Sequence, residues 1–562
     1  MRIVVNRLLH VNKIVTTPFL HSRLNIKTSL RHPSINNPAA LNSIRLLCFD
    51  YHSSGTKRYL TTMSVGHETV LERPAQLAIQ IFNEAVESVK PKNLLKEKFK
   101  LENESDIIIS DGDGKVTKID LKNYNKVYVV GFGKAVLPMA EQVVAVLGDK
   151  LEKVMVNIPD GFRDPVEEGI QVHRGAKNNI PDEAAFQGSK EIVQLVQNMD
   201  HNDLLIVLIT GGGSALFSYP LYPITVDELG SLVKTLSRGG ATINELNTVR
   251  KRLSLVKGGG LLTLCKSSTI IGIVLSDVPE DPLDIIASGP TVPNKDPESR
   301  AREIIDKYSE PGTLAESIEQ VLKNPIVTPP KSKNVTNIII GNNTVALEAG
   351  SEAAKRLNLY PLIVTKTLSG NASEVGDLLG HATQAISYLF RAKQSDQFIS
   401  AYASTIYNAA EKLSLEREKV DELVRVVQDP EIQSKFDGVC ILFGGETTVN
   451  VVGKGIGGRN QELALSAGMK IDTCANNLHV KGKVALLSAG TDGYDGPCQA
   501  AGAVADSSML QRGYDNHLSP SEYLRENNSY QYFKYNSNGA YHIITGHTET
   551  NVMDLVIIVI VK

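Results

Sequence analysis

The chain alternates short apolar segments with segments of helical period, and each apolar segment ends in glycine or a small polar residue. In the first half these apolar segments are KVYVVGFG (126–133), VMVNIPDG (154–161), LLIVLITGGGS (204–214) and TIIGIVLSDV (269–278). Helical patterns such as that of residues 182–199 lie between them. Strands that alternate with helices favour a parallel sheet covered by helices on both faces. The sequence therefore predicts an α/β fold.

A stretch rich in proline and lysine, KNPIVTPPKSKNV (323–335), interrupts this alternation and is typical of a linker between domains. A second series of strand-like segments follows at 336–343, 360–367, 438–446 and 483–493. We therefore expect two α/β/α domains with largely parallel sheets, over residues 66–325 and 333–562. The charged stretch 391–435 has a helical pattern and is predicted as a helical insertion, in which residues 414–428 form a helix that faces solvent.

The N-terminal segment differs in composition from the rest of the chain. Its first 60 residues carry nine lysines and arginines and one acid, Asp50, with many serines and threonines and no uninterrupted apolar core. This composition is typical of a mitochondrial transit segment, and the alternative is a disordered extension without a targeting function. Met63 offers a possible second start. We therefore expect residues 1–62 to be such an extension, and the protein to lie in the cytoplasm, the mitochondrion or both.

The overall composition argues against several classes of partner. The 59 basic and 62 acidic side chains nearly balance, and tryptophan is absent, so neither a basic field nor a stacking surface for nucleic acid is expected. The longest apolar runs, such as residues 555–561, are far short of the ~20 residues that a membrane helix needs. Five scattered cysteines without a CxxC pair argue against a disulfide framework and against a thiolate zinc site. We expect small-molecule substrates and a monomer or homodimer.

Residues with useful chemistry follow the predicted strands at their carboxyl ends. In open α/β sheets, ligands bind beyond those ends, and a cleft between two such domains is a natural site. The candidates are Gly133 with Lys134, then Gly211, Gly212, Gly213 and Ser214, then Asp277, then Gly444, Gly445 and Glu446, and finally Asp492. Glycine turns before a helix, or clustered at a strand end, leave N–H groups free for an anion. Asp277 and Asp492 offer the oxygen ligands that Mg²⁺ prefers.

Two further segments carry cations beside glycines. The segment 243–260 contains Arg250, Lys251, Arg252 and Lys257 before a run of glycines, and Lys257 is the one expected to face a ligand. The segment GKGIGGRNQELAL (453–465) places four glycines before Arg459, whose guanidinium suits a carboxylate or phosphate. These four glycines indicate either a flexible surface loop or a backbone cradle for an anion.

Several blocks resemble the class II glycerate kinases, the glycerate 2-kinase family whose C-terminal part is the MOFRL domain. The matching text includes VVGFGKA, TGGGSAL, GGETTVNVVGKGIGGRNQELAL and GTDGYDGPCQAAGAVAD, and the resemblance covers roughly residues 70–562. It implies a Rossmann-like N-terminal domain, a MOFRL-type C-terminal domain and an active site in the cleft between them. It also implies ATP-dependent phosphorylation of D-glycerate to 2-phosphoglycerate. Lys134 and Arg459 match the active-site lysine and arginine of the family.

The chain departs from this family pattern at two turns. Glu280 replaces a glycine in SDVPED (276–281), and His547 and Glu549 replace a proline and a glycine in TGHTETNV (545–552). The altered C-terminal turn motivates one alternative, a degenerate kinase that binds without catalysis.

The mechanistic hypothesis places the two cations across the cleft. Lys134 and Arg459 would bridge the phosphates and the glycerate carboxylate, while the glycine loops 211–214 and 444–445 donate N–H groups. Asp277 or Asp492 would hold Mg²⁺ or accept the hydroxyl proton. A second alternative is an NAD(P)H-dependent hydroxypyruvate reductase, although Val136 occupies the third glycine position of a dinucleotide fingerprint.

Overall fold

The computed structural model describes residues 48–50, 57–59, 70–177, 180–310, 312–325, 334–392, 397–472 and 481–562. The chain divides into two compact units, Met1–Val70 and Leu71–Lys562. In the first unit, strands β1 (Cys48–Asp50) and β2 (Lys57–Tyr59) pair antiparallel. The other residues of the predicted extension 1–62 lie outside the described part of the chain.

The second unit contains two six-stranded sheets and a small antiparallel sheet of β3, β4 and β5. Its strands are β3 (Phe99–Glu102), β4 (Asp106–Ser110), β5 (Val116–Asp120), β6 (Val127–Phe132), β7 (Leu151–Pro159), β8 (Ile170–Gly175), β9 (Leu204–Ile209), β10 (Thr269–Leu275), β11 (Asn334–Gly341), β12 (Leu359–Leu368), β13 (Gly438–Gly445), β14 (Val484–Gly490), β15 (Gly502–Asp506), β16 (His542–Ile543) and β17 (Asp554–Val561). Its helices are α1 (Arg73–Ser88), α2 (Pro91–Lys98), α3 (Val136–Leu147), α4 (Glu183–Gln197), α5 (Gly213–Leu216), α6 (Val226–Arg238), α7 (Ile243–Arg252), α8 (Gly260–Leu264), α9 (Arg300–Tyr308), α10 (Glu316–Lys323), α11 (Asn343–Arg356), α12 (Ala372–Leu389), α13 (Ile399–Lys412), α14 (Arg417–Gln428), α15 (Pro430–Lys435), α16 (Arg459–Asp472), α17 (Met509–Asp515), α18 (Pro520–Arg525) and α19 (Ser529–Tyr535). Among the described residues, no helix has both the length and the apolar character to cross a bilayer.

The first six-stranded sheet is parallel throughout, as predicted. Its strand order is β11-β10-β9-β6-β7-β8. Every residue of β6, β9 and β10 is buried, which explains why these strands read as continuous apolar runs without alternation. Because β6, β9 and β10 are parallel, the loops that follow them meet at one edge of the sheet.

The second six-stranded sheet is mixed instead of largely parallel. Its strand order is β12-β13-β17-β14-β15-β16, in which β12 and β13 are parallel and every other neighbouring pair is antiparallel. The last strand of the chain, β17, lies between β13 and β14 and is buried along its whole length. A strand buried on both faces has no alternation, so its apolar run carries no information about its direction. The α/β class and the arrangement in two domains are nevertheless confirmed.

The boundary between the two domains differs from the predicted linker. Strand β11, which was expected to open the second domain, pairs with β10 at the edge of the first sheet. Helix α1, which was expected in the first domain, packs against α11, β14 and β17 of the second. Most of the predicted linker, residues 326–333, lies outside the described part of the chain. The strand after it closes the first sheet, and the composition of the linker did not reveal which sheet that strand would join.

The predicted helical insertion 391–435 contains α13, α14 and α15. Helix α14 does not simply face solvent, because Val420, Leu423 and Val427 are buried in the core of the second domain. Its charged residues cover only the opposite face, as expected of an amphipathic surface helix.

Candidate active site

The two loops that follow β6 and β9 at the edge of the first sheet are held together by hydrogen bonds from backbone N–H groups. The Lys134 N–H donates to the Gly211 carbonyl oxygen at 2.8 Å, and the Ala135 N–H donates to Thr210 Oγ1 at 3.1 Å. Gly133 has φ of 145°, and a Cβ there would lie 2.2 Å from Thr210 Oγ1, so only glycine fits between these loops. Within the described residues, the Lys134 ammonium group makes no hydrogen bond or ion pair. It is therefore free to bind a ligand.

Asp277 lies directly against the loop that follows β9. A Cβ at Gly211 would be 1.8 Å from Asp277 Oδ2, which shows how closely the carboxylate approaches the backbone. The same oxygen accepts a hydrogen bond from Asn551 Nδ2 at 2.9 Å. The pKa of Asp277 is raised to about 6, mainly by burial and to a smaller extent by Asp492, while Lys134 opposes the shift. Residues of both domains therefore meet at this carboxylate.

Arg459 is the first residue of α16 and forms a two-point ion pair with Asp554. Its Nε and Nη2 atoms lie 2.5 and 2.9 Å from the two carboxylate oxygens, and Nη2 also lies 3.1 Å from Glu446 Oε1. Burial alone would lower the pKa of Arg459, but the two carboxylates outweigh it and raise the pKa. Asp554 was not predicted, because its only signal in the sequence is a carboxylate at the start of a buried apolar run.

Four carboxylates and the two predicted cations form one electrostatic group. Burial raises the pKa of Glu446, as do Asp554, Asp277 and Asp492, while Arg459 lowers it. Lys134 and Arg459 therefore border the same cluster from different domains. Asp492 follows β14 and accepts a hydrogen bond from the Tyr494 N–H at 3.0 Å through Oδ1.

The carboxylate oxygens of this cluster have the chemistry that Mg²⁺ requires. In the described part of the chain, no three His, Cys, Asp or Glu side chains are arranged to hold a metal ion by themselves. Mg²⁺ sites in phosphoryl-transfer enzymes commonly use one or two protein carboxylates, with phosphates and waters as the other ligands. Asp277 and Asp492 fit that kind of site.

A cleft of about 670 Å³ opens beside Asp277, within the size range of small-molecule sites. From the predicted set it is lined by Gly211, Gly212, Ser214, Asp277 and Glu446. It is also lined by Asn247 and Arg250 of α7, which the sequence analysis had not selected. Gly212 has φ of 81° at the start of α5, and Gly213 is buried behind it.

Lys257 does not line this cleft, contrary to the expectation that it faces a ligand. Its side chain is buried, and Nζ donates to the carbonyl oxygens of Ser214 at 2.8 Å and Phe217 at 2.7 Å. Burial and the charge of Arg250 lower the pKa of Lys257 to about 7. Lys257 supports the Ser214 turn from behind.

The glycines of GKGIGG neither form a flexible loop nor cradle a ligand anion. A Cβ at Gly453 would lie 2.2 Å from the Glu526 carbonyl oxygen, and one at Gly458 would lie 2.3 Å from the Asp495 carboxylate. The Asp495 carboxylate, which is buried, accepts from the N–H groups of Asn460 at 3.0 Å and Gln461 at 2.8 Å. The anion at the start of α16 is thus a side chain of the protein, and the glycines permit close packing.

The neighbouring glycines 444 and 445 are also structural. Both lie within β13 and pair with β17, and Gly445 also pairs with Leu368 of β12. A Cβ at Gly444 would lie 1.6 Å from Asn343 Oδ1. Glycine is needed at these positions because β13 is paired on both sides and closely packed. Residues 444–445, which were expected to form a loop that donates N–H groups, are instead the end of a strand.

The altered C-terminal turn reaches the first domain. Glu549 Oε1 accepts a hydrogen bond from Arg163 Nε at 2.6 Å, and Arg163 also binds both carboxylate oxygens of Glu141 at 2.6 and 2.7 Å. The His547 ring packs edge-on against Phe162, with 4.5 Å between ring centroids. Both residues that depart from the family pattern therefore contact the segment after β7.

Comparison with known proteins supports this two-part organisation. The family described as a domain of unknown function (DUF4147) matches residues 77–323, and the MOFRL family matches residues 439–554. The glycerate kinase of Danio rerio is 37% identical over 452 residues, which cover 77% of this chain and 88% of the relative. The D-glycerate 2-kinase of Thermotoga maritima is 32% identical over 486 residues, which cover 86% of this chain and 98% of the relative. A crystal structure of glycerate kinase from Thermotoga maritima matches with a TM-score of 0.67 and 30% identity, over 87% of this chain and 99% of that one. These relatives support phosphoryl transfer and give no support to the reductase alternative.

Proposed function

The chain belongs to the glycerate kinase family, and we propose that it transfers the γ-phosphoryl group of ATP to the C2 hydroxyl of D-glycerate, giving 2-phosphoglycerate and ADP. One observation carries the proposal. An unpaired lysine from the first domain and an arginine from the second border a single carboxylate cluster, Lys134 beside Asp277 and Arg459 beside Glu446. Phosphoryl transfer demands mainly positioning and positive charge around the moving group, which these residues would supply.

We assign the proton transfer to Asp277. The C2 oxygen of glycerate attacks the γ-phosphorus, the bond between that phosphorus and the ADP oxygen breaks, and the hydroxyl proton passes to the Asp277 carboxylate. A pKa of about 6 suits a carboxylate that must be ionised at neutral pH and still accept a proton. Lys134 would neutralise the charge that develops on the phosphoryl oxygens, and the N–H groups of Gly211 and Gly212 would orient them.

This assignment leaves Asp492 to hold Mg²⁺. When bound there with the phosphates of ATP, the ion would supply charge neutralisation and orientation of the phosphate chain. Asp492 lies near enough to Asp277 to raise its pKa, so the metal ligand and the base would be neighbours in the same cluster.

The experiment follows the position of the transferred phosphate. The full-length protein is incubated with Mg·ATP and D-glycerate, and NMR establishes whether carbon 2 or carbon 3 carries phosphate. We expect phosphate on carbon 2. Phosphate on carbon 3, or the absence of ADP formation, would refute the proposal. Oxidation of NADH by hydroxypyruvate without ATP would instead revive the reductase.

Two variants test the cations. Lys134→Ala and Arg459→Ala should each lower turnover by ~10²–10³, the usual cost of removing a charge-stabilising donor. Lys153→Ala on β7 is a matched control, because that lysine is exposed and pairs with Tyr128 near the amino end of β6, away from the loop that follows Phe132. Near wild-type turnover by either test variant would remove that residue from the mechanism.

We further propose that the basic N-terminal segment directs part of the protein to mitochondria, while a form that starts at Met63 stays in the cytoplasm. The proposal rests on the acid-poor composition of residues 1–62. Fluorescent fusions of residues 1–70 and of the 63–562 form test it. A cytoplasmic 1–70 fusion would refute it.

A further inference from the structure

Arg250 is a cation of the cleft that pairs with no acidic side chain among the described residues. It lies in the last turn of α7, is partly buried and lines the same cleft as Asp277. In the part of the chain that the structure describes, no carboxylate pairs with its guanidinium, and burial lowers its pKa without an acid to oppose the shift. The two cations that follow it in sequence do have partners within the protein. Lys251 forms an ion pair with Asp296 at 2.8 Å, and Arg252 Nη2 donates to three backbone carbonyl oxygens.

A row of polar side chains fixes the orientation of Arg250. Nη1 donates to Asn247 Oδ1 at 3.2 Å, and the same oxygen accepts from Ser288 Oγ at 3.3 Å. Ser288 Oγ in turn lies 3.0 Å from Ser214 Oγ in the turn after β9. The side chain of Asn247 is buried, so this anchor is held in place. One guanidinium nitrogen is thus anchored, while the others remain available in the cleft.

The charge balance around Arg250 differs from that around Arg459. Asp554 and Glu446 together carry more negative charge than Arg459 can neutralise. Arg250 instead has a second cation nearby, because its charge contributes to the lowered pKa of Lys257. A partly buried arginine that pairs with no carboxylate of the described residues favours an anionic ligand, and its planar fork matches a carboxylate.

The lining of the cleft indicates which ligand reaches this corner. Asp277 and Arg250 line the cleft, whereas Lys134, Arg459 and Asp492 lie outside its lining. In a 2-hydroxy acid, the hydroxyl and the carboxylate are on adjacent carbons, so a hydroxyl at Asp277 places the carboxylate inside the same cleft. The phosphates of the nucleotide would then lie on the other side of Asp277, beside Lys134.

We propose that Arg250 binds the carboxylate of the acceptor acid, with Asn247 and Ser214 beside it, and thereby restricts the enzyme to 2-hydroxy acids with an ionised carboxyl group. This inference rests on the proposed function and revises the expectation that Lys134 or Arg459 binds that carboxylate.

The test compares Arg250→Gln, Arg250→Lys and the control Arg238→Gln, whose arginine is exposed on α6. For Arg250→Gln we expect the KM for D-glycerate to rise about 100-fold, because the substrate carboxylate loses its charged partner in a partly buried site. The KM for ATP should stay within about threefold. Arg250→Lys retains the charge but loses the fork, so its KM should be intermediate. Arg238→Gln should match the wild type.

A neutral substrate analogue separates carboxylate binding from a structural effect. The wild type should discriminate strongly between D-glycerate and D-glyceramide, in which an amide replaces the carboxylate. Arg250→Gln should reduce this ratio of kcat/KM values at least about tenfold, since the charge that favours the anion is gone. A fall in melting temperature alone would leave the ratio unchanged.

Three results would overturn the inference. They are an unchanged glycerate KM in both Arg250 variants, an increase confined to the ATP KM, and an unchanged discrimination ratio. Should Arg250→Gln fail to fold, Arg250→Lys still tests the inference through the KM values for D-glycerate and ATP. Failure of the proposed function is recognised separately, because the wild type itself would then form no 2-phosphoglycerate.

Discussion

Gly211→Ala should inactivate the protein through a single methyl group. The backbone at Gly211 has no positive φ, so alanine meets no conformational penalty there. The added Cβ would nevertheless lie 1.8 Å from Asp277 Oδ2 and 2.5 Å from Cγ. The substitution therefore tests whether the position of the Asp277 carboxylate matters, without changing its chemistry.

The expected magnitude follows from the overlap. An ordinary contact of this kind is at least 3.4 Å, so the carboxylate oxygen must move by 3.4 − 1.8 = 1.6 Å. A displacement of about 1 Å at a reacting group costs about 10²-fold in rate. The same movement breaks the hydrogen bond from Asn551, which contributes about 1 kcal/mol to stability. We therefore expect kcat to fall at least about 10²-fold, with a loss in the free energy of unfolding of only about 1–2 kcal/mol.

The assay measures ADP formation with Mg·ATP and D-glycerate beside a thermal unfolding curve. Gly230→Ala on α6 is the matched control, because nothing lies within 4 Å of a Cβ there. This control should keep full activity, and its free energy of unfolding should rise by about 0.5–1 kcal/mol, since alanine has a higher helix propensity than glycine. When Gly211→Ala is added to Asp277→Asn, kcat should fall little below that of Asp277→Asn alone, because both changes act through the same carboxylate. A folded Gly211→Ala protein with kcat within threefold of the wild type would refute the assignment of Asp277.

Three further predictions concern protons, caps and ion pairs. Since only the ionised carboxylate accepts a proton and the pKa of Asp277 is about 6, kcat/KM should rise with pH through about 6 and then level off; a pH–rate profile without that inflection would contradict the role. Asp495→Ala should lower the free energy of unfolding by about 1–3 kcal/mol in a denaturant titration, because two N–H groups at a buried helix start lose their acceptor; a loss under about 0.5 kcal/mol would be inconsistent with that. Arg163→Gln should lower the free energy of unfolding by about 1–2 kcal/mol, which is less than for a fully buried ion pair because Arg163 is partly exposed. Glu549→Gln should lower it by under about 1 kcal/mol. Equal losses in the two variants would contradict the expectation that the pair of Arg163 with Glu141 is the stronger one.

The strand ends of the first sheet were predictable because buried parallel strands leave a strong local signal. The apolar run, the glycine turn and the following helix identify Lys134 and Asp277 without knowledge of the strand order. In an all-parallel sheet, the carboxyl ends of the strands lie at one edge whatever the strand order is. The local sequence pattern is therefore enough to predict which residues lie at that edge. The same reasoning failed for the direction of β17, which depends on pairing over a long sequence separation.

Side chains that act as partners were not predictable from local pattern. Asp554 and Asn551 take their roles from contacts with residues far away in the chain. The glycines before Arg459 show the same limit. A loop that packs closely against residue 526 and a loop that binds phosphate are both rich in glycine. Only the group that contacts the loop in the folded protein distinguishes the two cases.

Strand β17 joins the two halves of the site, and its place in the sheet was not predicted from the sequence. Asp554 opens this strand and pairs with Arg459, and three residues earlier Asn551 donates to Asp277 of the first domain. Strand β17 lies between β13 and β14 with every residue buried, and its register places Asp554 opposite Gly445 and Gly490 of those two strands. A slip of one residue would turn every side chain of the strand to the opposite face and remove Asp554 from Arg459. Burial of seven apolar residues, 555–561, thus sets the position of an ionic group at the edge of the sheet, and the same strand fixes how the second domain meets Asp277.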